Sequence, residues 1–181
     1  MSRTNCIDRA GQILIFCIWI EKRLVDLLIL KKHPRLIKSL NSKGSIPRTM
    51  VKSRFIYWEK SSFPILNEFM KEFQPKKDWK ENLENIFIWR DIIAHSYISL
   101  YKPYLLYRPN TKIMGKKPHE LRKKLGLTKK INKKYSNKFT LLLRLSDEEK
   151  FINMIKVIEE IDKIYLKYEA EKIGINYEKI R

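Results

Sequence analysis

The stretch IDRAGQILIFCIWIEKRLVDLLILKK, residues 7–32, decides the fold class. Ile13, Cys17, Ile20, Leu24 and Leu28 recur at the spacing of one face of an α-helix. Charged side chains gather only after Ile20, so the first half of this helix is expected to be buried on most sides. The apolar run Ile13–Ile20 stops at Glu21-Lys22-Arg23, well short of the roughly 20 residues a bilayer requires. Asp8 stands in front of it and no small-residue cleavage site accompanies it, which argues against a signal peptide. The run reads as the centre of a core helix.

Working outward, His33-Pro34 should end or kink this helix, because a residue before proline avoids the α region. Residues 41–47, Asn41-Ser42-Lys43-Gly44-Ser45-Ile46-Pro47, read as a turn-rich connection. Pro64 divides the next helical region into spans near 48–60 and 63–73, with Ser61 and Ser62 as candidate caps, and Pro75 closes it. A further helix is expected from Asp78, with Glu81 placed for a capping-box arrangement. Its stripe Leu83, Phe87, Arg90, Ala94 and Tyr97 is apolar except at Arg90. A last helix is expected from Ser146, with Asp147, Glu148 and Glu149 in its first turn. Phe151, Ile155, Ile158, Ile161, Tyr165 and Tyr168 form its apolar stripe, and Gly174 is its natural stop.

Residues 99–145 differ in character. Prolines, glycines and dense lysines fill them, and Tyr104–Tyr107 with Phe139–Leu145 suit the two strands of a short β-hairpin. The fold expected is all-α: one domain over residues 1–181, an up-and-down bundle of four to five helices with a basic insertion at about 99–145.

The chain has 39 Lys and Arg against 20 Asp and Glu, a formal net charge of +19. So strong a balance favours polyanionic partners, nucleic acid first, with an anionic surface or an acidic protein as alternatives. A lysine-rich solvated surface is the plainer explanation. A 44% hydrophobic content supplies a core and excludes wholesale disorder. Cys6 and Cys17 read as free thiols, and with no CxxC pair they fit a reducing cytoplasm. No metal-ligand spacing, Gly-rich phosphate loop, HExxH or GxSxG motif is present, so neither metal nor cofactor is expected.

One segment carries chemistry: Arg90-Asp91-Ile92-Ile93-Ala94-His95-Ser96-Tyr97. Cleaving RNA without metal requires a group to take the ribose 2′-hydroxyl proton and a group to stabilise charge on the phosphate. Histidine suits the first and arginine the second. On an ideal helix Arg90 and His95 lie about 140° apart. A bent arginine, a distorted helix, or two subunits sharing one cleft could bring them together. Asp91 and His95 share a helix face, so the carboxylate could fix the imidazole tautomer. Tyr97 would fall almost directly above Arg90, placed to touch substrate, bond Arg90 or be modified. The plainer alternatives are an arginine paired with Glu84 or a partner's Asp91, a helix-terminal histidine, and a core tyrosine. His33 and His119 read as surface residues.

The segment resembles the Arg-x4-6-His signature of the HEPN family, and with Tyr97 it resembles the Arg-x4-His-x-Tyr form of HepT-type toxins. The resemblance implies a dimerising helical bundle and a metal-independent endoribonuclease. Such enzymes serve toxin–antitoxin, abortive-infection or CRISPR-associated systems. It implies that Arg90 and His95 are catalytic and that Asp91 supports them. It further implies that Tyr97 is the residue modified by a minimal nucleotidyltransferase antitoxin. Lys116, Lys117, Arg122, Lys123, Lys124, Lys129 and Lys130, with Lys133 and Lys134, are candidates to hold RNA phosphates. Tyr101, Tyr104, Tyr107 and Tyr135 are candidates either to stack on bases or to pack a hairpin. The competing expectation is a non-catalytic nucleic-acid-binding or protein-interaction module of the same fold.

Overall fold

A computed structural model describes residues 3–43, 45–98, 104–107, 141–144 and 148–180. They are predominantly helical, as expected of an all-α bundle. The helices are α1 (Arg3–Lys32), α2 (Arg35–Lys43), α3 (Arg48–Trp58), α4 (Ser62–Phe73), α5 (Lys77–Ala94), α6 (Glu148–Glu160) and α7 (Lys167–Lys172). A π-helical segment, Ile161–Leu166, joins α6 to α7, and a 3-10 turn follows at Tyr177–Lys179. A small antiparallel sheet has the order β1 (Ser96–Ile98), β2 (Tyr104–Tyr107), β3 (Leu141–Arg144). Its β2–β3 register, Tyr104 opposite Arg144 and Tyr107 opposite Leu141, realises the expected hairpin pairing. Strand β1 was not foreseen.

The chain packs as two compact units, Met1–Phe16 with Asn85–Lys156, and Cys17–Glu84 with Val157–Arg181. In the first, Ala10, Ile13, Ile86, Phe87, Ile88, Trp89, Ile92, Leu105, Phe151 and Met154 are buried. Trp89 meets Phe151 edge to face at 5.4 Å between ring centroids.

In the second unit the burial of α1 reverses the expectation. Every residue from Arg23 to Leu30 is buried, whereas Ile18 and Trp19 of the apolar run are about half exposed. Burying the charged end is tolerable because its charges are met. The Asp26 carboxylate accepts two hydrogen bonds from Arg54, Nε to Oδ1 and Nη2 to Oδ2, each 2.7 Å. Arg23 Nε stands 3.0 Å from Asp162, which also accepts from the Tyr177 hydroxyl. A charge enters a core when it is paired there, and the partners lie far along the chain.

Helix ends follow local chemistry. His33 receives no continuation of α1 beyond its own N–H bond to Ile29, and Pro34 opens α2. That helix runs on through Lys43, over the first part of the expected turn. Helices α3 and α4 match the division expected at Pro64. Ser61 occupies the N-cap of α4 without a capping bond, while the Ser62 hydroxyl donates to Glu21 at 2.6 Å. Gln74 ends α4 in the left-handed region at φ 48°. Helix α5 begins one residue before Asp78, which therefore lies in the first turn.

The last helix keeps its stripe through Phe151, Ile158, Ile161 and Tyr165, but Tyr168 is exposed and Leu166, Glu169 and Ala170 turn inward instead. The π segment inserts the extra residue that shifts the stripe. Gly174, at φ 83°, stops α7 as expected. Its N–H donates to Glu171 and the Ile175 N–H donates to Ala170, the two bonds of a Schellman cap.

Candidate active site at the end of helix 5

All the described groups of the Arg90–Tyr97 segment belong to the first unit. Helix α5 stays regular through Ala94, and its final turn closes with the His95 N–H donating to the Asp91 carbonyl at 3.1 Å. Ser96 then leaves the helix. Its hydroxyl donates to the Ile92 carbonyl at 2.5 Å, which occupies an acceptor that the ended helix would otherwise leave without a partner. Ser96 thus trims the helix directly after the histidine, a role the sequence reading missed although a serine near a helix end is a recognisable signal.

The side chain of His95 is 53% exposed and that of Asp91 is 17% exposed, and His95 Nε2 stands 3.4 Å from Asp91 Oδ1. The four-residue spacing on one face brings them together, as expected. With Nε2 turned to a carboxylate, Nε2 is the protonated nitrogen of the neutral ring and Nδ1 carries the lone pair. The imidazole is therefore held as a base with one defined accepting atom. Its place at a helix C-terminus also favours the imidazolium that forms on proton uptake.

Arg90 is half-buried beside the fully buried Trp89. Its Nε is buried without a hydrogen-bond acceptor, so neither Glu84 nor Asp91 satisfies that atom. A buried guanidinium N–H without an acceptor costs free energy that an anion could recover. Because α5 is undistorted, Arg90 and His95 remain about 140° apart around its axis. The fold joins Asp91 to His95 and leaves Arg90 on another side of the helix.

Tyr97 departs from expectation. It lies not on α5 above Arg90 but in β1, opposite Leu106 of β2. Pairing with β2 supplies backbone hydrogen bonds that a further helical turn would have had to replace. The Tyr97 side chain lies outside the described residues, as do Lys116, Lys117, Arg122, Lys123, Lys124, Lys129, Lys130, Lys133, Lys134, Tyr101, Tyr135, His119, Ser146 and Asp147. Cys17 is a free, buried thiol, and the side chain of Cys6 lies outside the described residues.

Among the described residues, no group of three His, Cys, Asp or Glu side chains gathers as a metal site. Among the same residues, no helix is long and apolar enough to cross a membrane. No family model, curated protein or solved structure matches the chain, so its own residues at the end of α5 carry the functional reading.

Proposed function

We propose that this protein is an endoribonuclease that cleaves RNA by attack of the substrate's own 2′-hydroxyl, without metal. The observation that carries the reading is the exposed imidazole of His95, set against Asp91 one turn after an arginine whose buried Nε has no acceptor. His95 Nδ1 takes the 2′-hydroxyl proton. O2′ then attacks phosphorus, and the P–O5′ bond breaks as the 5′-oxygen leaves and gains a proton. The Arg90 guanidinium faces the non-bridging oxygens and stabilises their charge. The products are a 2′,3′-cyclic phosphate and a 5′-hydroxyl.

The angular separation of Arg90 and His95 favours a composite site in a homodimer, in which each chain lends one of the two groups. The resemblance of the segment to HepT-type toxins supports a role in a toxin–antitoxin or antiviral defence system. In such a role Tyr97 is the target of a nucleotidyltransferase antitoxin and the cytoplasm is the site of action.

The test is cleavage of labelled RNA in EDTA. Cleavage should persist and should fall by about 100-fold or more in both Arg90→Ala and His95→Ala. DNA, which lacks the attacking hydroxyl, should survive. Equal cleavage by both variants and the parent would refute the assignment. A monomer by light scattering would remove the composite site. The net charge of +19 favours a second reading, a nucleic-acid-binding module without catalysis. It predicts salt-sensitive binding and no scission at any protein concentration.

A further inference from the structure

The second unit contains a cavity with a chemistry of its own. The π segment turns Tyr165 and Leu166 inward together, and Glu169 follows one turn later. With Phe73, Trp79, Tyr168 and Lys172, the Tyr165 and Glu169 side chains line a cavity of about 340 Å³. Tyr165 is 3% exposed, and its hydroxyl has no hydrogen-bond partner. The Glu169 side chain is 7% exposed and meets the Lys172 ammonium only at 3.8 Å. Burial pushes the Glu169 carboxyl above its ordinary value, and burial followed by the nearby Glu169 charge pushes the Tyr165 phenol up. An unpaired donor and an under-satisfied carboxylate, buried side by side, are costly unless something satisfies both.

The walls are flat and aromatic. The Trp79 indole stacks on the Tyr165 ring at 5.3 Å with 17° between planes, and Tyr168 is 60% exposed. Lys76 lines the same cavity, adding a second ammonium. The volume lies near the lower end of the roughly 300–1,000 Å³ typical of small-ligand sites, enough for one base and part of its sugar.

We propose that this cavity binds the guanine base of a nucleotide. Guanine presents one acceptor, O6, followed by two adjacent donors, N1–H and the N2 amino group. Tyr165 supplies one donor and Glu169 two carboxylate acceptors, the complementary order. Adenine and cytosine would set an acceptor against the carboxylate, and uracil has a single donor. The base stacks on the aromatic wall, and its phosphate lies beside Lys76 and Lys172. These residues are separate from Arg90 and His95, so the site stands or falls independently of RNA cleavage. The guanine comes either from a free nucleotide or from a residue of an RNA chain.

Calorimetric titration distinguishes them. The probes are GMP, AMP, CMP and UMP, and two short 2′-O-methyl oligonucleotides, one all uridine and one carrying a single guanine. The methylated chains cannot be cut by 2′-hydroxyl attack. The guanine probe should bind at least about tenfold more tightly than its counterparts, the discrimination of one good bidentate contact. Glu169→Gln should abolish that preference, and Tyr165→Phe should weaken guanine binding with the thermal melt unchanged. Should Glu169→Gln fail to fold, Tyr165→Phe and Trp79→Leu provide the reading. Binding of GMP alone assigns the site to free nucleotide, and binding of the oligonucleotide alone assigns it to RNA. No binding of either probe at millimolar concentration, equal affinity for all four bases, or a preference that survives these substitutions would overturn the proposal.

Discussion

Replacing Arg54 with methionine removes the charge that faces Asp26 while keeping most of the volume. The Asp26 side chain is fully buried and its partner only 12% exposed, so water cannot take the place of the guanidinium. At an effective dielectric constant near 20, a pair about 4 Å apart attracts by about 4 kcal/mol. That figure agrees with the roughly 3–5 kcal/mol lost when one member of a buried pair is deleted. Burial pushes the Asp26 carboxyl above its ordinary 3.8, and the Arg54 hydrogen bonds and charge only partly pull it back. The folded state therefore binds this proton more tightly than the unfolded chain does. The group's penalty is absent below 3.8 and grows as pH rises through the folded value. Without Arg54 that value should rise further. Urea denaturation of Arg54→Met should thus show a loss of about 3–5 kcal/mol at pH 7 and a smaller loss at pH 5. The double variant Asp26→Leu with Arg54→Met should recover most of it, because an apolar pair needs no counter-charge. A loss under about 1 kcal/mol at pH 7, or a double variant as unstable as the single one, would refute this reasoning.

Burial raises the Glu68 carboxyl, but hydrogen bonds from Lys32, Tyr57 and Lys60 outweigh it and hold the group at about 2, below its ordinary 4.5. The stability it contributes is complete above 4.5 and lost as pH falls toward 2, so Glu68→Gln should flatten the acid limb of an unfolding curve. At pH 7 that substitution should cost only about 1 kcal/mol, because solvent screens its lysine partners. Gly174→Ala should cost about 1 kcal/mol in a thermal melt, from the left-handed backbone alone. An added Cβ there would meet nothing within 4 Å, so an unchanged melting temperature would contradict the cap. Asp91→Asn should lower the cleavage rate at least about tenfold, less than His95→Ala, since asparagine can still orient the ring but carries no charge for the imidazolium. Rates equal to the parent's would show that Asp91 does not act through His95.

Much of the framework was legible in the chain because its causes are local. Pro34 and Pro64 divide helices wherever they stand, Gly174 ends one, and the Asp91–His95 contact follows from a four-residue spacing. Alternating strand-like residues at 104–107 and 141–144 announced their pairing. Long-range partners decided the rest. Apolar content pointed to the first half of α1 as its buried part, yet Arg54 and Asp162 let the charged second half go inside. Helical spacing placed Tyr97 above Arg90, yet β2 drew it into a sheet. The π segment that sets Tyr165 beside Glu169 leaves no mark in composition. Sequence alone determines what each turn of backbone prefers. Only tertiary structure determines which polar groups find a partner, because that depends on residues brought near by folding rather than by order along the chain.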